Sequence, residues 1–156
     1  MPSNQVAADR DAGRMASSAV VLDTNVFVAA GFNPKSASAK IVDAVKQGQM
    51  RMVWDDATRG EIERIMQQIP PLRTYAVSDL FRPEDRHTAA THPEQFAFIP
   101  DPDDRKFAAL AHAAGATLIS NDDHLLLHGG HMDLTVFTPR AFWRRQQRSN
   151  HAQGRM

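Results

Sequence analysis

The run Ala19-Val20-Val21-Leu22-Asp23-Thr24-Asn25 decides the fold class of this chain. Its first four residues are apolar and rich in valine, and they are too few for a helix, so they predict a strand buried in a sheet. The next three residues predict a turn, because Asp and Asn favour turns. An acidic residue, Asp23, therefore directly follows the first predicted strand.

Strands and helices alternate through the rest of the sequence. Apolar residues at helical spacing, such as Ile62, Ile65 and Met66, predict the helices, and short apolar runs predict the strands. The predicted helices cover residues 36–47, 55–69 and 101–114 and a terminal helix from 139, the predicted strands cover 19–22, 50–54, 96–99, 116–120 and 134–137, and one or two short helices fall within 72–96. This alternation indicates an α/β fold with a central parallel sheet flanked by helices on both faces.

Composition excludes several classes of protein. A chain of 156 residues suits one domain, and the absence of cysteine excludes disulfides, iron–sulfur clusters and thiolate zinc sites. Eighteen basic residues balance eighteen acidic ones, so the total charge identifies no partner. No apolar run approaches the roughly 20 residues of a membrane helix. No signal peptide is visible either, so we expect a cytoplasmic protein without membrane contact.

The two ends of the chain differ from its centre. Residues 1–18 are polar and show no hydrophobic period, which predicts a disordered N-terminal arm. The last residues are polar and partly basic. We therefore expect the folded domain to span residues 19–147 and a flexible C-terminal tail to span 148–156.

Four acidic residues are predicted to meet at one edge of the sheet. Asp23 and Asp122 each follow a predicted strand, and ligands collect at the carboxyl ends of parallel strands. Asp104 opens the helix before the second of these strands, and Glu61 lies on an earlier helix. Converging carboxylates repel one another unless a cation neutralises them, and oxygen ligands suit Mg²⁺ or Mn²⁺. Such a cation activates water and stabilises charge on a phosphate, which suits phosphodiester hydrolysis.

Each of these acids also has a structural interpretation. Asp23 suits a turn, and acids near a helix N-terminus stabilise the helix dipole without any catalysis. Asp101 is interpreted as a helix cap rather than a ligand. Periodicity alone does not separate the candidates from their neighbours, which are Glu63 beside Glu61, Asp103 beside Asp104 and Asp123 beside Asp122.

The motifs around these acids resemble those of PIN domains. The four motifs occur in the family's order at residues 21–27, 61–66, 101–116 and 119–126, and the resemblance extends from about Val20 to Phe142. The closest subset is the PIN-family toxins of bacterial toxin–antitoxin systems. Two positions depart from the pattern: Asp55 stands where a Ser or Thr cap is frequent, and Ser120 stands where Thr is usual.

The resemblance implies a Rossmann-like sheet and a Mg²⁺- or Mn²⁺-dependent endoribonuclease that cleaves single-stranded RNA by metal-activated water. It assigns catalysis and metal binding to four acids: Asp23, Glu61, Asp104 and Asp122. It assigns Asn25 and Ser120 to orienting those carboxylates or waters. It also implies a cognate antitoxin protein and a homo-oligomer, expected to be a dimer. The alternative is a catalytically silent PIN-like module that binds RNA or a protein partner.

Basic residues and histidines supply further candidates. Arg140, Arg144 and Arg148 share one face of the terminal helix at four-residue spacing, where they would meet RNA phosphates or simply face solvent. His124, His128 and His131 follow Asp122 and raise the possibility of zinc, against which a solvated or capping role is preferred.

Overall fold

A computed structural model of the chain describes residues 19–128 and 133–154. Its sheet consists of four parallel strands in the order β2-β1-β3-β4. The strands are β1 (Ala19–Leu22), β2 (Arg51–Met52), β3 (Thr117–Ile119) and β4 (Val136–Phe137). The predicted parallel α/β fold is confirmed, and β1 and β3, the strands that precede Asp23 and Asp122, are neighbours.

Strand β1 lies in the middle of the sheet with both faces covered. Val20, Val21 and Leu22 are all buried, although successive side chains of a strand point to opposite faces. Leu22 pairs with Ile119 of β3, so the two strands end at the same level. The continuous apolar run at the start of the folded unit is therefore explained by burial on both sides.

Helices surround this sheet, and most follow the sequence predictions. They are α1 (Thr24–Phe32), α2 (Ala37–Lys46), α3 (Asp56–Gln68), α4 (Pro102–Ala114), α5 (Asp123–His128) and α6 (Pro139–Gly154). Asp55 caps α3 by accepting a hydrogen bond from the Thr58 N–H at 2.9 Å, and the Thr58 side chain accepts one from the Asp55 N–H in return. Gly115 ends α4 in the left-handed conformation, with φ of 64°.

The turn predicted at residues 23–25 is wrong, because α1 begins there. Asp23 has an extended backbone and its side chain accepts a hydrogen bond from the Thr24 N–H, as an N-cap does. The helix buries Val26, Phe27 and Ala30. Asp23 thus joins the end of β1 directly to the start of a helix.

The segment between α3 and α4 contains several short 3₁₀ helices, at Pro70–Leu72, Ser78–Leu80, Pro83–Asp85 and Pro93–Phe96. The strand predicted at residues 96–99 is wrong. Phe96 ends the last 3₁₀ helix, and its carbonyl accepts a hydrogen bond from the Ile99 N–H, which closes a turn. Phe96 and Ile99 are buried in the core, and this burial explains their apolar character without a strand.

The ends of the chain are described only in part. Residues 1–18 lie outside the described residues, as does the arm predicted there. Helix α6 continues past Gln147 to Gly154, so the backbone is helical through most of the predicted tail, and the flexibility of that end stays a prediction. Among the described residues, no helix combines the length and apolar character needed to cross a bilayer.

Candidate functional site

Asp23 is the centre of a polar network between the ends of β1 and β3. Its backbone N–H donates to the Ile119 carbonyl at 3.0 Å, which continues the strand pairing. Its carboxylate accepts hydrogen bonds from the Thr24 N–H at 2.7 Å and from the Ser120 hydroxyl at 2.7 Å. The residue is only 3% exposed, so this carboxylate is held in one orientation inside the protein.

Asn25 and Ser120 tie the neighbouring loops to this carboxylate. The Asn25 amide donates to Asp23 Oδ2 at 3.2 Å, and Asn25 Oδ1 accepts the Asn121 N–H at 3.1 Å. The Ser120 hydroxyl accepts the Asp122 N–H at 2.9 Å while it donates to Asp23. The two residues predicted to orient the site both contact Asp23, and Ser120 links it directly to the loop that carries Asp122.

The carboxylates of Asp23, Asp104 and Asp122 influence one another electrostatically. Burial raises the pKa of Asp23 to about 6, against the opposing effect of its hydrogen bonds, and the charges of Asp122 and Asp101 raise it further. Burial also raises the pKa of Asp104 to about 8, together with a hydrogen bond to Asp122 and the nearby charges. These shifts mark a group of like charges that favours protonation or a bound cation.

The carboxylate of Glu61 is bound by two cationic side chains, those of Arg64 and Lys106. Its side chain, 9% exposed, accepts two hydrogen bonds from Arg64 at 2.9 Å each and lies 3.4 Å from the Lys106 ammonium. Burial acts to raise the pKa of Glu61, but its contacts with Arg64 and Lys106 outweigh burial and lower it. Glu61 is therefore ionised and already neutralised by side chains.

Asp23, Asp104 and Glu61 line one cleft with a volume of about 320 Å³, whereas Asp122 is not among its lining residues. It is lined by Asp23, Thr24, Asn25, Val28, Glu61, Ile65, Asp101, Asp103, Asp104 and Phe107. Asp101 is a cap, as predicted, since its side chain accepts the Asp103 N–H at 2.9 Å. The hydroxyl of Thr24 is buried in this cleft and finds no hydrogen-bond partner within the described chain, so it is available to a water or ligand.

The donor set of the cleft fits a hard divalent cation in part. All candidate ligands are oxygens, three of the four carboxylates carry or cause raised pKa values, and the Thr24 hydroxyl lacks a partner. Within residues 19–128 and 133–154, however, no three Asp, Glu or His side chains are arranged to hold a metal ion. Glu61 joins such a site only after it leaves Arg64 and Lys106.

The predicted arginines lie outside the cleft. Arg140 and Arg144 line a separate groove beside it, whereas Arg148 is exposed on α6 and does not line that groove. The side chains of His124 and His128, and all of His131, lie outside the described residues. Sequence reasoning missed Thr24, Arg64 and Lys106. Arg64 had a signal, its position three residues after Glu61 on one helix.

The fold and the cleft define an α/β protein with an acidic site at the carboxyl edge of a parallel sheet, the edge at which such sheets bind their ligands. The model of one family, described as PIN domain, matches residues 19–124, and the chain belongs to that family. PIN domains are commonly nucleases and generally use divalent metals. Neither a curated protein nor a solved structure matches the chain.

Proposed function

We propose that this protein is a metal-dependent endoribonuclease that cleaves single-stranded RNA. The observation that supports it is the buried carboxylate of Asp23: the charge of Asp122 helps to raise its pKa, and the charges of Asp23 and Asp122 in turn help to raise the pKa of Asp104. A buried group of like charges is costly in an apo protein, and it is retained where a cation neutralises it. Family membership adds that PIN domains are commonly nucleases.

In this proposal Asp23, Asp104 and Asp122 hold Mg²⁺ or Mn²⁺, and Glu61 joins them as the fourth ligand. The cation, when bound, lowers the pKa of water and stabilises negative charge on the scissile phosphate. Ser120 and Asn25 keep the Asp23 carboxylate aimed into the cleft through their hydrogen bonds to Oδ2. The products carry a 5′-phosphate and a 3′-hydroxyl.

The raised pKa of Asp104 gives cation binding a measurable consequence. With a pKa of about 8, Asp104 keeps a proton at neutral pH in the metal-free protein. A ligand carboxylate must be deprotonated, so binding of Mg²⁺ or Mn²⁺ releases up to about one proton. Titration calorimetry in buffers of different ionisation enthalpy detects that release.

The decisive experiment compares cleavage of a fluorescent single-stranded RNA by wild type, Asp23→Asn and Glu63→Gln, with Mg²⁺, with Mn²⁺ and with EDTA. Glu63 is the matched control, because it lies two residues from Glu61 but pairs with Arg59 at 2.7 Å instead of lining the cleft. We expect wild type and Glu63→Gln to cleave only with metal and Asp23→Asn to be inactive. Equal cleavage by wild type and Asp23→Asn would mean a contaminating nuclease and would end the proposal.

The biological setting is proposed from the resemblance of the four motifs to PIN-family toxins. The protein would act in the cytoplasm as the toxin of a toxin–antitoxin pair, as a homo-dimer whose acidic cleft an antitoxin protein blocks. Induced expression should arrest growth for wild type and not for Asp23→Asn. Growth arrest by both variants would separate toxicity from nuclease activity.

A second candidate function is a catalytically silent module that binds RNA or a protein. It is favoured by the state of Glu61, whose carboxylate is neutralised by Arg64 and Lys106. It is also favoured because no three acidic side chains in the described chain are arranged to hold a metal ion. This alternative predicts no cleavage with either metal, no proton release on metal addition, and unimpaired binding of RNA or protein by Asp23→Asn.

A further inference from the structure

A second groove, separate from the acidic cleft, is strongly basic. It has a volume of about 540 Å³, and its charged lining residues are all cationic. The lining comprises Ala29, Lys35, Ala37, Ser38, Lys40, Asn121, Pro139, Arg140, Trp143, Arg144 and Gln147. In a protein with equal numbers of acidic and basic residues, such a concentration of one sign indicates a site for an anion.

The four cations of this groove are not neutralised by the protein. Lys35, Lys40, Arg140 and Arg144 are exposed, and within the described ranges none of them forms an ion pair. Outside the groove, many of the described cations have partners. Ion pairs engage Arg51, Arg59, Arg64, Arg86 and Lys106. Backbone carbonyls accept hydrogen bonds from Arg73, Arg82 and Arg105. The groove therefore holds positive charge that is free to meet a ligand.

Two helix starts add to this positive potential. Helix α2 begins at Ala37 and helix α6 begins at Pro139, and both residues line the groove. The N-terminal end of a helix carries a partial positive charge and N–H groups without intrahelical partners. The groove thus combines side-chain cations with helix termini.

Trp143 adds a polar group that lacks a partner. Its indole N–H is buried, and the described chain offers it no hydrogen-bond acceptor. Trp143 lines the groove, as do Arg140 and Arg144 on the same helix. A ligand oxygen in the groove would satisfy this donor, which the protein leaves unsatisfied.

The groove lies next to the acidic cleft, because residues in direct contact or adjacent in sequence line the two sites. Asn121 lines the groove, and its N–H donates to Asn25, which lines the cleft and contacts Asp23. On α1, Val28 lines the cleft and Ala29 lines the groove. One extended polyanion can therefore reach both sites.

We propose that this basic groove binds the phosphodiester backbone of a single-stranded nucleic acid, over the nucleotides next to those in the acidic cleft. This inference rests on the proposed nuclease function. A strand that enters the cleft carries its neighbouring phosphates over the groove, whereas an acidic polypeptide has no corresponding reason to extend into a cleft lined by carboxylates. In this proposal Lys40, Arg140 and Arg144 contact phosphates. Trp143 donates a hydrogen bond to a phosphate or base oxygen.

The test measures binding of fluorescein-labelled oligouridylate in EDTA by anisotropy, so that cleavage plays no part. Lys40→Gln and Arg144→Gln are the test variants, and Arg73→Gln is the charge-matched control outside the groove. Each lost phosphate contact should lower the slope of log affinity against log salt by about 0.7 and weaken binding about fivefold near 0.1 M salt. Arg73→Gln should leave both quantities unchanged.

The outcomes separate this inference from its rivals. Equal weakening of RNA binding by Arg73→Gln would mean that net charge alone drives binding, and it would overturn the proposal that the groove binds the nucleic acid. Binding of fluorescein-labelled polyglutamate that depends on Lys40 and Arg144, without any binding of RNA, would assign the groove to an acidic polypeptide instead. An oligodeoxyuridylate of equal length that shows the same dependence on the two residues would support recognition of phosphates.

The inference and the proposed function fail in different ways. Suppose that wild type cleaves RNA with metal but the Lys40→Gln/Arg144→Gln double variant binds RNA normally. RNA binding by the groove would then be refuted, and the proposed nuclease function would be supported. If wild type binds RNA through the groove but cleaves none with either metal, the nuclease function would be refuted and RNA binding by the groove would be supported. Circular dichroism of each variant checks folding, which these exposed substitutions should preserve.

Discussion

Asp23→Asn should make the metal-free protein less sensitive to pH. Burial raises the pKa of Asp23 from its ordinary 3.8 to about 6 in the folded protein. The folded state therefore holds a proton that the unfolded state releases, and the free energy of unfolding falls as pH rises between these two values. At about 1.4 kcal/mol per pKa unit, ionisation of this carboxyl costs wild type about 3 kcal/mol above about pH 7.

The variant removes this cost and keeps the hydrogen bond that caps α1, but it loses the oxygen that accepts from Ser120 and Asn25. Asn is as good an N-cap as Asp, so its oxygen still accepts the Thr24 N–H. Its amide nitrogen replaces the oxygen that faces Ser120 and Asn25, which costs about 1 kcal/mol. We expect Asp23→Asn to be slightly less stable than wild type near about pH 4 and about 2 kcal/mol more stable near about pH 8.

Urea denaturation in EDTA across this pH range measures the difference directly. With an m-value of about 2 kcal/mol per M, the midpoint of the variant should move from just below that of wild type to about 1 M above it. Added Mg²⁺ should then raise the midpoint of wild type only, because a ligand stabilises the state that binds it. A stability difference that stays constant from acid to alkaline pH would refute the charge cluster around Asp23.

Other substitutions test the site and the packing around it. Asp104→Asn should lower cleavage by orders of magnitude. It should not lower the melting temperature in EDTA at neutral pH, because the amide resembles the protonated carboxyl group that Asp104 keeps in the metal-free protein; a large loss of stability would mark Asp104 as a structural cap instead. Ser120→Ala should destabilise the protein by about 1–3 kcal/mol in urea, since the buried carboxylate of Asp23 loses a donor, and Ser120→Thr should restore it. Gly31→Ala should lower the free energy of unfolding by about 1–3 kcal/mol, because the new Cβ would lie 2.6 Å from a methyl group of Leu72. Gly60→Ala, in open space on α3, should raise the free energy of unfolding by about 0.5–1 kcal/mol. Equal effects of the two substitutions in urea denaturation would contradict this packing.

The carboxyl edge of the sheet was predictable from local sequence, but the helix that starts there was not. Val20 to Leu22 identify a buried strand, and neighbouring parallel strands bring Asp23 and the Asp122 loop to one edge. Helix α1 is apolar around most of its circumference, so it shows no polar stripe to reveal its period. Asp23 is typical of both a turn and a helix cap, and only tertiary packing decides between them.

The ion pairs of Glu61 show why only part of the site could be predicted from the sequence. Arg64 lies three residues further along α3, and such pairs are readable from spacing. Lys106 reaches Glu61 from α4, so its contact depends on how two helices pack. The basic groove is likewise a product of packing between α2 and α6, since helical spacing groups Arg148 with Arg144 although only the latter lines it.

The separation of charge explains how a neutral protein would hold a polyanion beside carboxylates. Eighteen acids and eighteen bases cancel in total, so long-range attraction contributes little to an encounter with RNA. Carboxylates in the cleft repel a phosphate at short range, and a divalent cation offsets that repulsion only at the scissile group. The neighbouring phosphates require cations of the protein itself, and Lys35, Lys40, Arg140 and Arg144 supply them without competing acids in the groove. Binding of substrate and cleavage of substrate would thus depend on two adjacent sites of opposite charge, each of which fails in a distinguishable way when its charge is removed.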